Sequence, residues 1–155
     1  MSILPIRPFD KSCDEQRVKE FFAQMGGESR GFFNRGAGNE NGTLGFFDPA
    51  KEDQYKNSAY FMALDGERMA GYVFLWDLNK SIPWLGIAVS EEWKGRHIGR
   101  DLMAQAETHC REHGKGGILL TTHTANLRGQ SLYERCGYER LGMHHSGEFL
   151  YLKRF

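Results

Sequence analysis

One segment, residues 87–103, constrains the fold more than any other part of this 155-residue chain. It begins with the apolar run Ile87-Ala88-Val89, passes through a loop rich in basic residues and glycine, and ends in a helical pattern. The loop contains Lys94, Gly95, Arg96, His97, Ile98, Gly99 and Arg100. A buried strand, a loop and an amphipathic helix in this order predict the first part of a strand-helix-strand unit.

The loop has the chemistry of an anion site. The first N–H groups of a helix have no partner within the helix, and the helix dipole adds partial positive charge there. Glycine lets the backbone approach a ligand closely, and Lys94, Arg96 and Arg100 supply countercharge. We therefore expect this loop to bind a phosphate or a pyrophosphate.

The remaining patterns predict a mixed sheet flanked by helices. Strand patterns occupy residues 2–7, 59–64, 69–78, 84–89, 117–122, 138–141 and 149–153; helical patterns follow Asp10–Ser12 and cover residues 100–113 and 127–136. The unit between residues 84 and 122 predicts two parallel strands, whereas Asp65-Gly66 and the C-terminal strand pair predict antiparallel hairpins. We predict one α/β domain over residues 1–155, with a mixed sheet of the α+β type.

Residues 27–57 follow no helical or strand period. They combine glycine, Asn, Asp and Glu with aromatic residues at Phe32, Phe33, Phe46, Phe47 and Tyr55. An irregular segment of this length in a compact domain is either functional or contains short helices that the periodicity does not show. We expect both to hold here.

Composition excludes several classes of function. Lys plus Arg and Asp plus Glu number 20 each, which gives no net attraction to nucleic acid or to an anionic membrane. No apolar run approaches the roughly 20 residues that cross a bilayer, and no signal-peptide pattern opens the sequence. Three cysteines without metal or redox spacing predict a reducing, cytoplasmic location and no metal site.

A second segment, residues 121–137, reads TTHTANLRGQSLYERCG. Together with the basic loop it resembles the GCN5-related N-acetyltransferase (GNAT) superfamily. The pyrophosphate loop of that family has Arg or Gln, two residues, Gly, one residue, and Gly or Ala; Lys94, His97 and Gly99 occupy these positions. The second motif is matched by Asn126, Gly129, Leu132-Tyr133-Glu134 and Gly137-Tyr138.

Lys94 and His97 depart from the usual residues of the family. Histidine is one of the few residues besides glycine that are enriched at positive φ, so we expect the turn at His97 to form. The resemblance covers residues 59–155 well and residues 1–25 loosely. Residues 27–57 match nothing in the family.

The resemblance implies a GNAT fold that uses acetyl-CoA as cosubstrate. In that family the strands matched by residues 84–89 and 117–122 separate at their C-terminal ends and hold the pantetheine arm between them. The strand Ile87-Ala88-Val89 would hold the arm, chiefly through backbone groups of Ile87 and Val89. The loop from Lys94 to Arg100 would hold the pyrophosphate, and Asn126 the arm or an ordered water.

The resemblance also implies roles in catalysis. Tyr133 matches the general acid of the family, and a phenol with a pKa of ~10 is suited to protonate a leaving thiolate whose thiol has a pKa of ~8.5. Some relatives carry a glutamate base at the position of Thr121, and His123 would face the same side. Other candidates for the base are Glu91, Glu92, Asp77, His144 and His145, and a water chain is a further alternative.

These features predict an N-acetyltransferase that acts on a primary amine of a small molecule or a peptide. The alternative is a catalytically degenerate module that binds or senses acyl-CoA. A dinucleotide-binding domain is disfavoured because the loop lacks GxGxxG. The resemblance further implies a homodimer, for which residues 149–155 would supply a sheet edge.

An acceptor pocket would form from the first helix and residues 27–57, with contributions from residues 77–83 and 143–148. The aromatic residues that could line it are Phe32, Phe33, Phe46, Phe47 and Trp84. The competing interpretation is that these residues anchor the irregular segment to the core.

Overall fold

The computed structural model describes residues 3–27, 31–32 and 39–155. The strands are β1 (Ile6–Pro8), β2 (Ala59–Asp65), β3 (Arg68–Trp76), β4 (Trp84–Val89), β5 (Gly117–Thr122), β6 (Glu139–Met143) and β7 (Phe149–Arg154). The helices are α1 (Glu15–Ala23), α2 (Glu40–Leu44), α3 (Ile98–Glu112) and α4 (Leu127–Arg135). Short 3-10 helices span Gly45–Phe47, Pro49–Tyr55 and Glu91–Trp93. Phe33 lies outside the described residues.

The seven strands form one mixed sheet in the order β1-β2-β3-β4-β5-β7-β6. Only β4 and β5 are parallel, and α3 connects them, as predicted from the strand-helix-strand pattern. The two strands are paired at a single position, Trp84 opposite Leu119. Because pairing is confined to the beginning of β4, the C-terminal ends of β4 and β5 diverge and leave a gap in the sheet.

Each face of the sheet has its own core. On one face, α3 contributes the predicted stripe Leu102, Met103, Ala106 and Cys110, all at most 1% exposed. On the other face, Val18, Phe21 and Phe22 of α1 pack with the aromatic side chains of β2 and β3. The periodicity of both helices therefore identified their buried sides correctly.

Most of the described part of the irregular segment is helical. Residues 40–55 form α2 and two 3-10 helices. The Asn39 side chain accepts a hydrogen bond from the Gly42 N–H (2.8 Å), and Asp48 accepts one from the Ala50 N–H (2.9 Å). Such caps stabilise turns that are too short to show a full helical period, which is why the sequence pattern did not reveal them.

The C-terminal strand lies inside the sheet and not at its edge. β7 is paired with β5 on one side and with β6 on the other. The prediction that residues 149–155 supply a free edge is therefore wrong, and β6 is the edge strand at this end of the sheet. The hairpin pattern indicated that two strands pair but not which of them reaches β5.

A buried carboxylate fastens α1 to the first strand. Asp14 is fully buried and accepts two hydrogen bonds from Arg7, at 2.6 and 2.8 Å, and one from Arg17 at 2.9 Å. The Asp10 N–H adds a fourth at 2.7 Å. The hydrogen bonds from Arg7 lower the pKa of Asp14 to about 2, although burial alone would raise it. Asp14 is thus ionised throughout the neutral range and stabilises the folded state.

Replacing Asp14 by Asn is expected to lower the free energy of unfolding by about 2 kcal/mol at pH 7, because the folded-state pKa of about 2 lies below the unfolded value of ~3.9. This stabilisation is complete above the unfolded pKa and is lost as the pH falls through the folded pKa. The difference should therefore shrink to roughly half at pH 3. Urea unfolding at both pH values tests this.

The control is Asp53→Asn, since Asp53 forms an exposed ion pair with Lys56 (3.0 Å) and should change stability little. If Asp14→Asn lowered the free energy of unfolding equally at pH 7 and pH 3, the ionised Asp14 carboxylate would not be the source of the stabilisation.

Candidate active site

The loop between β4 and α3 has the left-handed turn that its sequence demands. His97 has φ 69° and ψ 8°, and Gly95 has φ 79°. His97 is the residue immediately before α3, so its conformation turns the chain into the helix. The expectation that histidine supports positive φ here is confirmed, at an energetic cost that glycine would avoid.

The loop also presents unpaired backbone donors. The first hydrogen bond into α3 runs from the Asp101 N–H to the His97 carbonyl, at 3.1 Å. Within residues 39–155, no acceptor is recorded for the N–H groups of Ile98, Gly99 and Arg100. Three adjacent donors at a helix start form an anion-binding arrangement.

Gly99 has a packing role in addition. A Cβ atom at position 99 would lie 3.0 Å from the Leu132 side chain of α4, so the first turn of α3 packs directly against α4. The two sequence motifs are therefore in contact through this glycine.

Positive charge surrounds the loop. Lys94 forms an ion pair with Glu91 at 2.8 Å, and Arg96 lies over the Trp93 ring at 5.1 Å. Arg128 also lies at the loop, and the sequence patterns did not identify it. Its terminal guanidinium nitrogen is 3.7 Å from the point that a Cβ atom would occupy at Gly95. Its place two residues after Asn126, in the first turn of α4, was the signal available in the sequence.

The gap between β4 and β5 is lined by backbone groups. The Ser90 N–H donates to Ala70 of β3, and the Leu119 N–H donates to Pro83, at 2.8 and 2.9 Å. In an antiparallel pair successive residues direct their N–H and C=O groups to opposite sides. The even-numbered residues of β4 therefore bond to β3, and Ile87 and Val89 direct theirs into the gap.

Ala88 differs from its two neighbours. It pairs with Tyr72 of β3, and its side chain lies in the core beneath α1. Its backbone groups are thus engaged within the sheet. Of the three residues predicted to hold a pantetheine arm, only Ile87 and Val89 offer backbone groups to the gap.

Tyr133 is buried in α4 on the face of the sheet that α3 covers. Its ring lies 5.9 Å from that of Tyr151 and 6.4 Å from that of Tyr138. Burial, followed by the negative charge of Glu148, raises the pKa of the Tyr133 phenol. The hydroxyl is therefore protonated throughout the neutral range and has no hydrogen-bond partner among the described residues.

Asn126 caps α4. Its side-chain oxygen accepts from the Gly129 N–H at 3.1 Å, and its amide donates to Thr122 at 3.3 Å. A side chain at Gly129 would begin 2.6 Å from the Asn126 amide nitrogen, so glycine is required at this contact. The contact between Asn126 and Gly129 therefore gives both residues of the motif a structural role at the start of α4.

His123 lies just beyond β5, where Nδ1 accepts a hydrogen bond from the Ala125 N–H at 3.0 Å. A ring nitrogen that accepts from the backbone is unprotonated, so the neutral ring carries its proton on Nε2. His123 therefore presents a donor to its surroundings, which disfavours it as the base. Its ring lies 5.1 Å from that of Phe32.

The other candidates for the base are engaged in contacts of their own. Glu91 pairs with Lys94, Glu92 with Arg68 at 3.2 Å, and Asp77, at the end of β3, with Lys80 at 3.9 Å. In the turn between β6 and β7, His144 Nδ1 accepts from the Ser146 N–H at 3.2 Å. The His145 ring centroid lies 4.0 Å from that of His144, with the two ring planes tilted by 36°.

The aromatic residues of the irregular segment divide into two groups. Phe47 is buried and Phe46 packs with it against Phe9 and Tyr60, which favours their interpretation as core anchors. Phe32 lies beside His123, close to the end of β5. Trp84 lies near His144, with ring centroids 5.7 Å apart.

The described part of the chain contains no helix that is both long and apolar enough to span a bilayer. It also contains no group of three or more His, Cys, Asp or Glu side chains arranged to hold a metal ion.

Comparison with known proteins identifies relatives of similar sequence. An uncharacterized N-acetyltransferase, YvbK, of Bacillus subtilis is 28% identical over 102 residues, which cover 63% of this chain and 66% of the relative. A putative [ribosomal protein bS18]-alanine N-acetyltransferase of the same organism is 24% identical over 63% of this chain and 64% of its own. A mycothiol acetyltransferase of Corynebacterium glutamicum is 26% identical over 57% of this chain and 30% of its own length. The chain spans less than two thirds of the length of each.

Solved structures share the fold. The paia N-acetyltransferase from Thermoplasma acidophilum, determined in complex with coenzyme A, superposes with a TM-score of 0.78 at 18% identity and full coverage of both chains. The GNAT domain of S. lividans PAT has a TM-score of 0.78 at 16% identity, with 97% of this chain and 89% of that one covered. The acetyltransferase (GNAT) family matches residues 15–138. With the separated strands and the glycine-containing loop described above, this match shows that the chain belongs to the GNAT acetyltransferase family.

Proposed function

We propose that the protein transfers the acetyl group of acetyl-CoA to a primary amine of a small molecule or a peptide. The observation that carries the proposal is the continuity of the gap with the loop. Backbone groups of Ile87 and Val89 face an opening that leads to the unpaired N–H groups at the start of α3. A ligand with an amide-containing arm and a pyrophosphate has complementary groups for both.

The residues of the gap and loop fit coenzyme A. Ile87 and Val89 would pair with the amides of the pantetheine arm in place of the missing strand. Gly95 and the N–H groups from His97 to Arg100 would hold the pyrophosphate, with countercharge from Lys94, Arg96 and Arg128. Asn126 supports this site by fixing the first turn of α4, which carries Arg128.

When bound, acetyl-CoA supplies a thioester carbonyl to an attacking amine. The Val89 N–H, fixed by the sheet, would donate to the carbonyl oxygen as negative charge develops on it. Tyr133 would give its phenolic proton to the departing sulfur and regain one from the new amide nitrogen. An acceptor that arrives as an ammonium ion first loses one proton to a base or to water. The C–N bond then forms as the C–S bond breaks, the nitrogen gives one proton to Tyr133, and it keeps one as the N–H of the amide. His123, as an Nε2–H donor, fits a role in orienting the acceptor better than that of the base.

The second candidate function is an acyl-CoA sensor without turnover, which the departures at Lys94, His97 and Thr121 favour. A sensor does not need the protonated phenol of Tyr133. Binding without transfer to any amine would support this alternative.

Calorimetric titration with coenzyme A is the first test of the cofactor site. Arg128→Ala is expected to weaken binding about tenfold, because a charge-assisted hydrogen bond to a phosphate contributes about 1.5–3 kcal/mol. The control is Arg154→Ala, in which an exposed arginine at the end of β7 is removed. Equal affinities of the two variants would place the phosphates away from Arg128.

Substitutions at His97 test the left-handed turn. His97→Gly should leave both stability and coenzyme A affinity close to those of the parent, since glycine adopts φ 69° without strain. His97→Val should lose about 1–2 kcal/mol of stability, because a β-branched residue is strained at positive φ. Thermal unfolding and calorimetry on the two variants measure the difference. A fully stable His97→Val would show that the turn does not require positive φ.

Tyr133→Phe tests the general acid. The substitution keeps the buried ring, so coenzyme A affinity should be unchanged, while kcat for acetyl transfer should fall about 100-fold. Initial rates with several primary amines, measured by thiol release, give kcat separately from affinity. Unchanged kcat would assign the proton to another donor.

A further inference from the structure

One face of the sheet is incompletely covered along β5 and β7. Leu119, Thr121, Leu150 and Leu152 are all partly exposed, whereas the alternating neighbours Ile118, Leu120 and Tyr151 are at most 1% exposed. Side chains alternate between the two faces of a strand. The exposed set therefore lies on the face that carries α1, beyond the strands that α1 covers.

Aromatic rings lie on either side of this surface. Trp84, opposite Leu119, shares the face with Ala88 and lies close to the His144 ring. Phe32 packs on His123 just beyond the end of β5. Leucines between aromatic rings form a surface that favours an apolar ligand.

A carboxylate stands at the end of this surface. Met143 of β6 lies opposite Phe149 of β7. The His144 N–H donates to the Glu148 carbonyl at 2.7 Å, so His144 and Glu148 form the next pair of this ladder. The alternation then places the Glu148 side chain on the same face as Leu150. Among the described residues, no ion pair or hydrogen bond is recorded for this partly buried carboxylate.

The carboxylate also lies near the gap. Its negative charge acts on the Tyr133 phenol, which approaches from the opposite face of the sheet. Phe149, the next residue, is paired with Thr122 at the C-terminal end of β5, where β4 and β5 have separated. Glu148 and Tyr133 thus lie on the two sides of the same opening.

We propose that this surface binds the acceptor, and that the acceptor is a primary ammonium carried on an apolar body, with the ammonium held by the Glu148 carboxylate. The assignment rests on the proposed N-acetyltransferase function and specifies its substrate class. An ammonium ion at the gap would give this carboxylate a partner in a charge-assisted hydrogen bond. Leu119, Leu150 and Leu152 on the same face suit an acceptor that carries its positive charge on an apolar chain.

The test is calorimetric binding of n-hexylamine and of methylamine to the protein saturated with coenzyme A. The parent should bind n-hexylamine at least tenfold more tightly than methylamine, because only the longer amine contacts the leucines. Glu148→Gln should lower affinity for n-hexylamine about tenfold or more. The matched control is Glu112→Gln at the exposed C-terminal end of α3, which should bind both amines as the parent does. Coenzyme A affinity should be the same in all three proteins.

Equal binding of n-hexylamine by the parent and by Glu148→Gln would overturn the proposal, and so would a parent that binds neither amine or does not distinguish them. If Glu148→Gln fails to fold, Leu150→Ala replaces it and should remove the preference for n-hexylamine while leaving methylamine binding unchanged. Acetylation assays separate this result from the proposed function. Binding of n-hexylamine that depends on Glu148, without transfer from acetyl-CoA, would support the ammonium site and contradict the transferase.

Discussion

The separation of β4 from β5 after their single pair is the constraint on which the rest of the structure depends. Buried backbone groups in proteins are nearly always hydrogen-bonded, and here Ile87 and Val89 direct theirs toward a strand that is not there. The sheet tolerates this because its other neighbouring strands are paired over several residues each and because each face has its own core. The gap, which forms where strand pairing is absent, is thus the proposed binding site, and the elements around it hold its geometry.

Contacts on both sides of the gap hold its geometry. Gly99 allows α3 to rest on Leu132 of α4, so the loop before α3 and the helix that carries Tyr133 are in direct contact. On β7, Tyr151 donates to Glu134 at 2.7 Å and ties the same helix to the sheet beyond β5. Several residues that match the family motif, among them Asn126, Gly129 and Glu134, therefore contribute to the scaffold through visible contacts.

Much of the fold could be predicted because its determinants are local. Short-range sequence patterns predicted the apolar stripes of α1 and α3, the Asp65-Gly66 hairpin and the parallel β4–β5 unit. The order of β7 and β6 was not, since the strand that reaches β5 is selected by tertiary packing. The helices over residues 40–55 depend on caps and buried aromatics, which produce no regular period.

The site was only partly accessible from sequence for the same reason. The loop and the two helix motifs lie in continuous segments and could be identified. Arg128 beside Gly95, and Glu148 across the sheet from Tyr133, are brought together by long-range packing that no spacing reveals. The base candidates show the converse limit, because the sequence identifies ionisable residues but not the hydrogen bonds and ion pairs that engage them.

The position of β7 between β5 and β6 has a consequence for how the chain acquires its structure. β6 precedes β7 in the sequence but can join the sheet only through β7, and until β7 pairs with β5, β5 is held to β4 at a single position. During synthesis on the ribosome, the β1–β4 half can complete its ladders while β5 still exposes an unpaired edge. The half of the sheet formed by β5, β7 and β6 is therefore the last to form. A nascent chain arrested before β7 would expose the unpaired edge of β5, which is prone to aggregation.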